Sequence, residues 1–177
     1  KTCVMKAVFI DESKSKRYVI CAVFVDFDAV PLIRRAIYAM RLKGQSRIHF
    51  VSESPSRRRK ILSDFRRLPI STKIYVSNVG SDSTDRERCL SALIKDLNPA
   101  KRYQIWLELD VNHLRQDVMV LTEQLIARGV RPNVDFHHEE SRRLPLLWIP
   151  DAIVWTFNRG GNWSRELEGF DVEVIEL

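Results

Sequence analysis

The sequence predicts an α/β fold, one central sheet covered by helices on both faces. Three observations carry that expectation. Short runs of β-forming residues recur along the chain, and between them lie stretches whose apolar residues repeat at helical spacing. Strands alternating with helices in this way favour layered α/β packing. The run from Tyr18 to Val25 is apolar throughout, which suits a strand buried on both faces. No repeat, low-complexity tract or linker divides the 177 residues, so 1–177 reads as a single domain.

Taken in order, Val4 to Ile10 is a mostly apolar strand that runs into Asp11-Glu12-Ser13. The short polar segment holding Lys14, Lys16 and Arg17 then fits a hairpin into the Tyr18 strand. Pro31 suits the first turn of a helix whose stripe is Leu32, Ile33, Ala36, Ile37 and Met40, with Gly44 placed to end it. Ile48 to Val51 reads as a short strand. Ser54-Pro55 is a cap-plus-first-residue pair for a second helix, which buries Ile61, Leu62 and Phe65.

Lys73 to Val79 is a further strand, and Thr84-x-x-Glu87 forms a capping box before a helix with Leu90, Leu93, Ile94 and Leu97 inward. Tyr103 to Leu109 alternates, with Gln104, Trp106 and Glu108 on one face and Tyr103, Ile105, Leu107 and Leu109 on the other. Leu114, Val118, Leu121 and Leu125 predict a helix ending at Gly129. Val134 and Phe136 predict a strand. Leu146 to Phe157 is apolar and helical in character, with Pro150 starting or kinking it. After Gly160-Gly161, Phe170 to Ile175 alternates as a last strand, for which a second copy of the chain is a candidate partner, giving a homodimer.

Composition bounds the function loosely. Lys plus Arg is 29 against 23 acids, a net charge of +6 that permits a polyanionic partner without requiring one. Cys3, Cys21 and Cys89 are odd in number and lack CxxC spacing, so they read as reduced thiols of a cytoplasmic protein. No apolar run reaches the roughly 18 residues a membrane span needs, and no stretch resembles a secretory signal. Phosphate-binding glycine loops and the GxSxG elbow are absent.

Four acids sit where chemistry would use them: Asp11 after the first strand, Glu53 in His49-Phe50-Val51-Ser52-Glu53, Asp110 after the Trp106 strand, and Asp151 inside an apolar segment. Aspartate is rarely buried unless paired or bound to metal, which makes Asp151 the most unusual. Mg²⁺ and Mn²⁺ take carboxylate oxygens, and two ions ~4 Å apart clamp both oxygens of a phosphoryl displacement. Each acid also has a plain structural reading: strand-end solvation for Asp11-Glu12 and Asp110, and helix-start charges for Glu53 and Asp151.

Phe9-Ile10-Asp11-Glu12-Ser13, Ile48-His49-Phe50-x-x-Glu53 and Pro145-Leu146-Leu147-Trp148-Ile149-x-Asp151-Ala152 together resemble a family of small bacterial proteins catalogued as domain of unknown function thirty-eight hundred. The resemblance runs in order from Val8 to about Trp163. It implies an RNase H-like (ribonuclease H-like) fold, a mixed sheet whose first strands are antiparallel. It also implies divalent-ion ligation by an acid of the first strand and one of the final helix, the places of Asp11 and Asp151, with Glu53 and His49 matching the His-Phe-x-x-Glu element. Lys14 stands where wider relatives often carry Gly, and Pro150 immediately precedes Asp151.

The expectation is therefore a metal-dependent nuclease in which Asp11, Glu53 and Asp151 hold Mg²⁺ or Mn²⁺, with Asp110 as a fourth candidate. Arg57, Arg58, Arg59 and Lys60 would contact the nucleic-acid backbone, either RNA or DNA; a solvated helix face is the plainer reading. His49 and His138 are the candidate proton carriers, although the run His137 to Glu140 reads mainly as surface. The alternative is a non-catalytic RNase H-like module that binds nucleic acid or protein.

Overall fold

The protein is described here as a computed structural model, covering residues 5–177. Cys3 and the predicted Val4 start of the first strand lie outside the described residues. Six strands form one mixed sheet: β1 (Met5–Ser13), β2 (Tyr18–Asp26), β3 (Ile70–Ser77), β4 (Arg102–Glu108), β5 (Val134–Glu139) and β6 (Val172–Glu176). Their order across the sheet is β5-β4-β1-β2-β3-β6. The β1–β2 and β2–β3 pairs are antiparallel, and β4, β5 and β6 join in parallel.

Period-two alternation sorts the residues of β1 to opposite faces. Ala7 and Phe9 enter a core beneath α1 (Val30–Ala39), α2 (Pro55–Phe65) and α5 (Trp148–Arg159). Val8 and Ile10 enter a second core beneath α3 (Asp82–Asp96) and α4 (Leu114–Ala127). The expected covering of both faces is what the structure shows. Among the described residues no helix is long and apolar enough to cross a membrane.

Local differences from the sequence reading have identifiable causes. Asp11, Glu12 and Ser13 lie within β1, because pairing with β2 continues to Ser13–Val19. Ile48 to Val51 is not a strand: Phe50–Ser52 forms a 3-10 turn, and the Phe50 N–H turns to Asp151 Oδ2 at 3.3 Å. The first helix stops at Ala39, well before Gly44, and Leu32 is exposed. The third strand spans Ile70–Ser77; Val79 lies outside it, with its N–H donating to Asp85 Oδ1 at 3.0 Å. Ser81, not Thr84, caps α3, accepting the Thr84 N–H.

Ser54 caps α2 as expected, accepting from the Arg57 N–H. In α4 the inward position expected of Val118 belongs to Asp117. Pro150 sits in the first turn of α5, where its missing N–H is not needed. The last strand pairs with β3 of its own chain and forms one edge of the sheet.

Candidate active site

Parallel pairing sets three carboxyl side chains in one row across the sheet. Ile10 is opposite Leu107, so Asp11 and Glu108 occupy the next row together, and Glu108 is opposite Glu139 of β5. Residues two before them on each strand (Phe9, Trp106 and His137) share that face, and Phe9 and Trp106 contact the core beneath α5. Neighbouring strands lie about 4.8 Å apart, so Asp11 and Glu108 are adjacent. Asp151, from the first turn of α5, approaches the row from above.

Electrostatics report the convergence. Burial raises the proton affinity of Asp11 well above the usual carboxylate range, and the charges of Asp151, Glu12 and Glu108 raise it further. Burial also raises Glu108, where Asp151 adds to the effect and Ser141 and Arg47 oppose it. Asp151 is raised by burial against the stabilising Phe50 N–H and the nearby His49 and Arg47. Like charges in a site poor in water hold protons that solvated carboxyls release.

Each carboxyl spends one oxygen on a backbone N–H. Asp11 Oδ1 accepts from Glu12 at 2.7 Å, Glu108 Oε1 from Ser141 at 3.2 Å, and Asp151 Oδ2 from Phe50. Glu108 Oε2 is buried without a hydrogen-bond partner among the described residues. Arg47 donates to Ser141 Oγ at 2.6 Å, and its charge reaches Glu108 and Asp151. His49 is exposed, and its Nδ1 is held 3.0 Å from Ser52 Oγ. Among the described residues no three His, Cys, Asp or Glu side chains are gathered as a ready-made ion cage.

Two of the four predicted acids, Asp11 and Asp151, are thus brought together, and two are not. Glu53 accepts from Gln45 Nε2 at 2.5 Å and pairs with Arg57 at 3.7 Å. Asp110 lies past the end of β4, receives the Asn112 N–H, and faces Lys14 and His113, which help hold its proton affinity low. Glu108, two residues earlier, takes the place expected of Asp110. The signal was present in the alternation of β4, since Glu108 shares the Trp106 face.

His138 is the clearest correction. It points to the opposite face, where its Nε2 lies 2.9 Å from Asp117 Oδ2. There Arg86, fully buried, makes a bidentate pair with Asp117 at 2.6 and 2.8 Å and reaches Tyr18 Oη and Glu12 Oε2, each at 3.0 Å. Glu12 is thereby drawn away from Asp11's face, as alternation requires. Of the basic cluster, Arg57 donates to the Met40 carbonyl and Arg58 to the carbonyls of Phe50 and Val51. Arg58 also stacks over Trp155, and Arg59 pairs with Glu166 over Trp163. Lys60 pairs with Asp64. Trp163 packs edge-on against Trp155, anchoring the loop after α5.

No family model matches the sequence, and no curated protein matches it. Solved structures do. A chain in the structure of the PCNA:RNase HII complex from Archaeoglobus fulgidus has a TM-score of 0.55 at 17% identity, over 92% of this chain and 74% of that one. A mutant of Bst-RNase HIII has a TM-score of 0.46 at 13% identity, over 86% of this chain and 51% of that one. With the strand order and helix layers described above, the first likeness shows the architecture: the chain has an RNase H-like α/β fold.

Proposed function

We propose that this chain is a divalent-metal-dependent nuclease, hydrolysing phosphodiesters of RNA or DNA, in which Asp11, Glu108 and Asp151 hold Mg²⁺ or Mn²⁺. The observation that carries the reading is the convergence of Asp11, Glu108 and Asp151 in an RNase H-like fold, where the charges of Asp151 and Glu108 raise the proton affinity of Asp11 and that of Asp151 raises Glu108. The donor set fits such ions. All three are hard oxygen ligands, Glu108 Oε2 is buried without a partner among the described residues, and added positive charge relieves their repulsion. When bound, the ions activate water and stabilise the departing oxygen of the displacement.

The chain's own groups supply the rest. Arg47, next to the carboxyls, offers a guanidinium to the phosphate. His49 keeps Nε2 free among the described residues while Ser52 orients Nδ1, which suits it to carry the proton. Arg59 and Lys60, with side chains 54% and 65% exposed, are the members of the basic cluster best placed for phosphate contact. The free, buried thiols Cys21 and Cys89 support placing the protein in a reducing compartment such as the cytoplasm. We also propose membership of the family of unknown function whose three motifs it resembles.

The test is a cleavage assay on labelled RNA and DNA with Mn²⁺. The reading expects cleavage that EDTA and Asp151→Asn each abolish. A preparation that binds nucleic acid, yet neither binds Mn²⁺ nor cuts, would make the chain a non-catalytic RNase H-like module.

A further inference from the structure

On the carboxyl-bearing face, α5 lies over β1 and β2, and the sheet beyond it carries an aromatic pair. Trp106 of β4 and His137 of β5 are directly opposite in the parallel register and stack, with ring centroids 4.4 Å apart and planes inclined by 28°. His137 is exposed and Trp106 partly so. Neither ring has a hydrogen-bond partner among the described residues, and the edge position of β5 leaves the outer flank of His137 open while Trp106 backs it from β4. An exposed histidine stacked flat on a tryptophan, with no internal polar duty, has a π-face to offer a ligand.

The position of the pair identifies that ligand. Trp106 and His137 stand two residues before Glu108 and Glu139 on the same strands and the same face. The two-residue rise sets the platform about 6.6 Å behind the carboxyl row. That separation is on the scale of one nucleotide, from a phosphate to the base it carries. We infer that the Trp106–His137 pair is a stacking subsite for an unpaired nucleobase next to the phosphodiester held at Asp11, Glu108 and Asp151. The subsite selects single-stranded substrate, because a paired base keeps its faces buried in its own stack. This inference rests on the nuclease reading and extends it to substrate class.

The experiment compares cleavage of a single-stranded oligonucleotide with cleavage of the same sequence in duplex, with Mn²⁺, for the wild type, His137→Ala and His137→Phe. His137 is exposed, so its replacement leaves the fold intact. The expected result is wild-type preference for the single strand, and a KM for that strand raised roughly tenfold in His137→Ala with kcat little changed. His137→Phe, which restores a ring without the imidazole nitrogens, returns KM towards the wild-type value. Binding of the oligonucleotide to the Asp151→Asn protein is expected to quench tryptophan fluorescence, and adding Trp106→Phe, which keeps the packing, should remove that quenching. An active enzyme that prefers duplex, or whose KM is unmoved in His137→Ala, overturns the stacking subsite and leaves the nuclease reading standing. Loss of kcat in both His137 variants also overturns it, because the imidazole would then act chemically. Absence of any Mn²⁺-dependent cleavage overturns the nuclease reading, and the subsite with it.

Discussion

Asp11 gives up its proton reluctantly because it is buried and because the charges of Asp151, Glu12 and Glu108 oppose its own. Its proton affinity in the folded chain exceeds the unfolded value, so the folded state binds more protons once pH rises above about 3.8. Stability of the metal-free protein therefore falls as pH rises from there through the raised folded value, then levels off. Asp11→Asn removes this group's share of the loss. Melting followed against pH in EDTA should show the variant above the wild type at pH 7, with the gap closing towards pH 4. A variant that melts below the wild type at pH 7 would show that the repulsion is not felt. The neighbouring acids separate as sharply. Mn²⁺ is expected to raise the melting temperature; Glu108→Gln should abolish that rise, whereas Asp110→Asn should retain it, because Asp110 is engaged with Lys14, His113 and the Asn112 N–H. Equal loss in both variants would return Asp110 to the site.

At the scale of elements, the two faces of the sheet divide the labour. The face under α5 gathers the carboxyls, while the opposite face locks α3 to α4 and the sheet through Arg86, Asp117, His138, Tyr18 and Glu12. Arg86 sits in a site where an unpaired charge is costly, and its removal strands both Asp117 and Glu12. Arg86→Met should destabilise the fold by roughly 3–5 kcal/mol in urea unfolding. A cost below about 1 kcal/mol would show that the network is hydrated rather than buried. Ser54→Ala, which deletes the α2 cap, should cost about 1 kcal/mol by the same measurement.

At the scale of the whole molecule, the alternation of strands and helices made the layered α/β arrangement legible, and the Phe9-to-Ser13 and Leu146-to-Ala152 motifs marked Asp11 and Asp151. What stayed hidden depends on long-range pairing. Glu108 looks like the polar half of an alternating strand until the β1–β4 register sets it beside Asp11. His138 looks available until α4 places Asp117 beneath it. Glu53 looks like a ligand because the segment before it resembles a strand; the 3-10 turn instead directs its side chain to Gln45 and Arg57. The Trp106–His137 stack likewise follows from a parallel β4–β5 pairing that local sequence does not specify.

Residue, strand register and helix placement all converge on the junction of Asp11, Glu108 and Asp151. The most direct test is anomalous diffraction from crystals of the protein soaked in Mn²⁺. Anomalous density bounded by the carboxyl oxygens of Asp11, Glu108 and Asp151 is the expected result. Density at Glu53 or Asp110 instead, or none at the junction at saturating Mn²⁺, would contradict it.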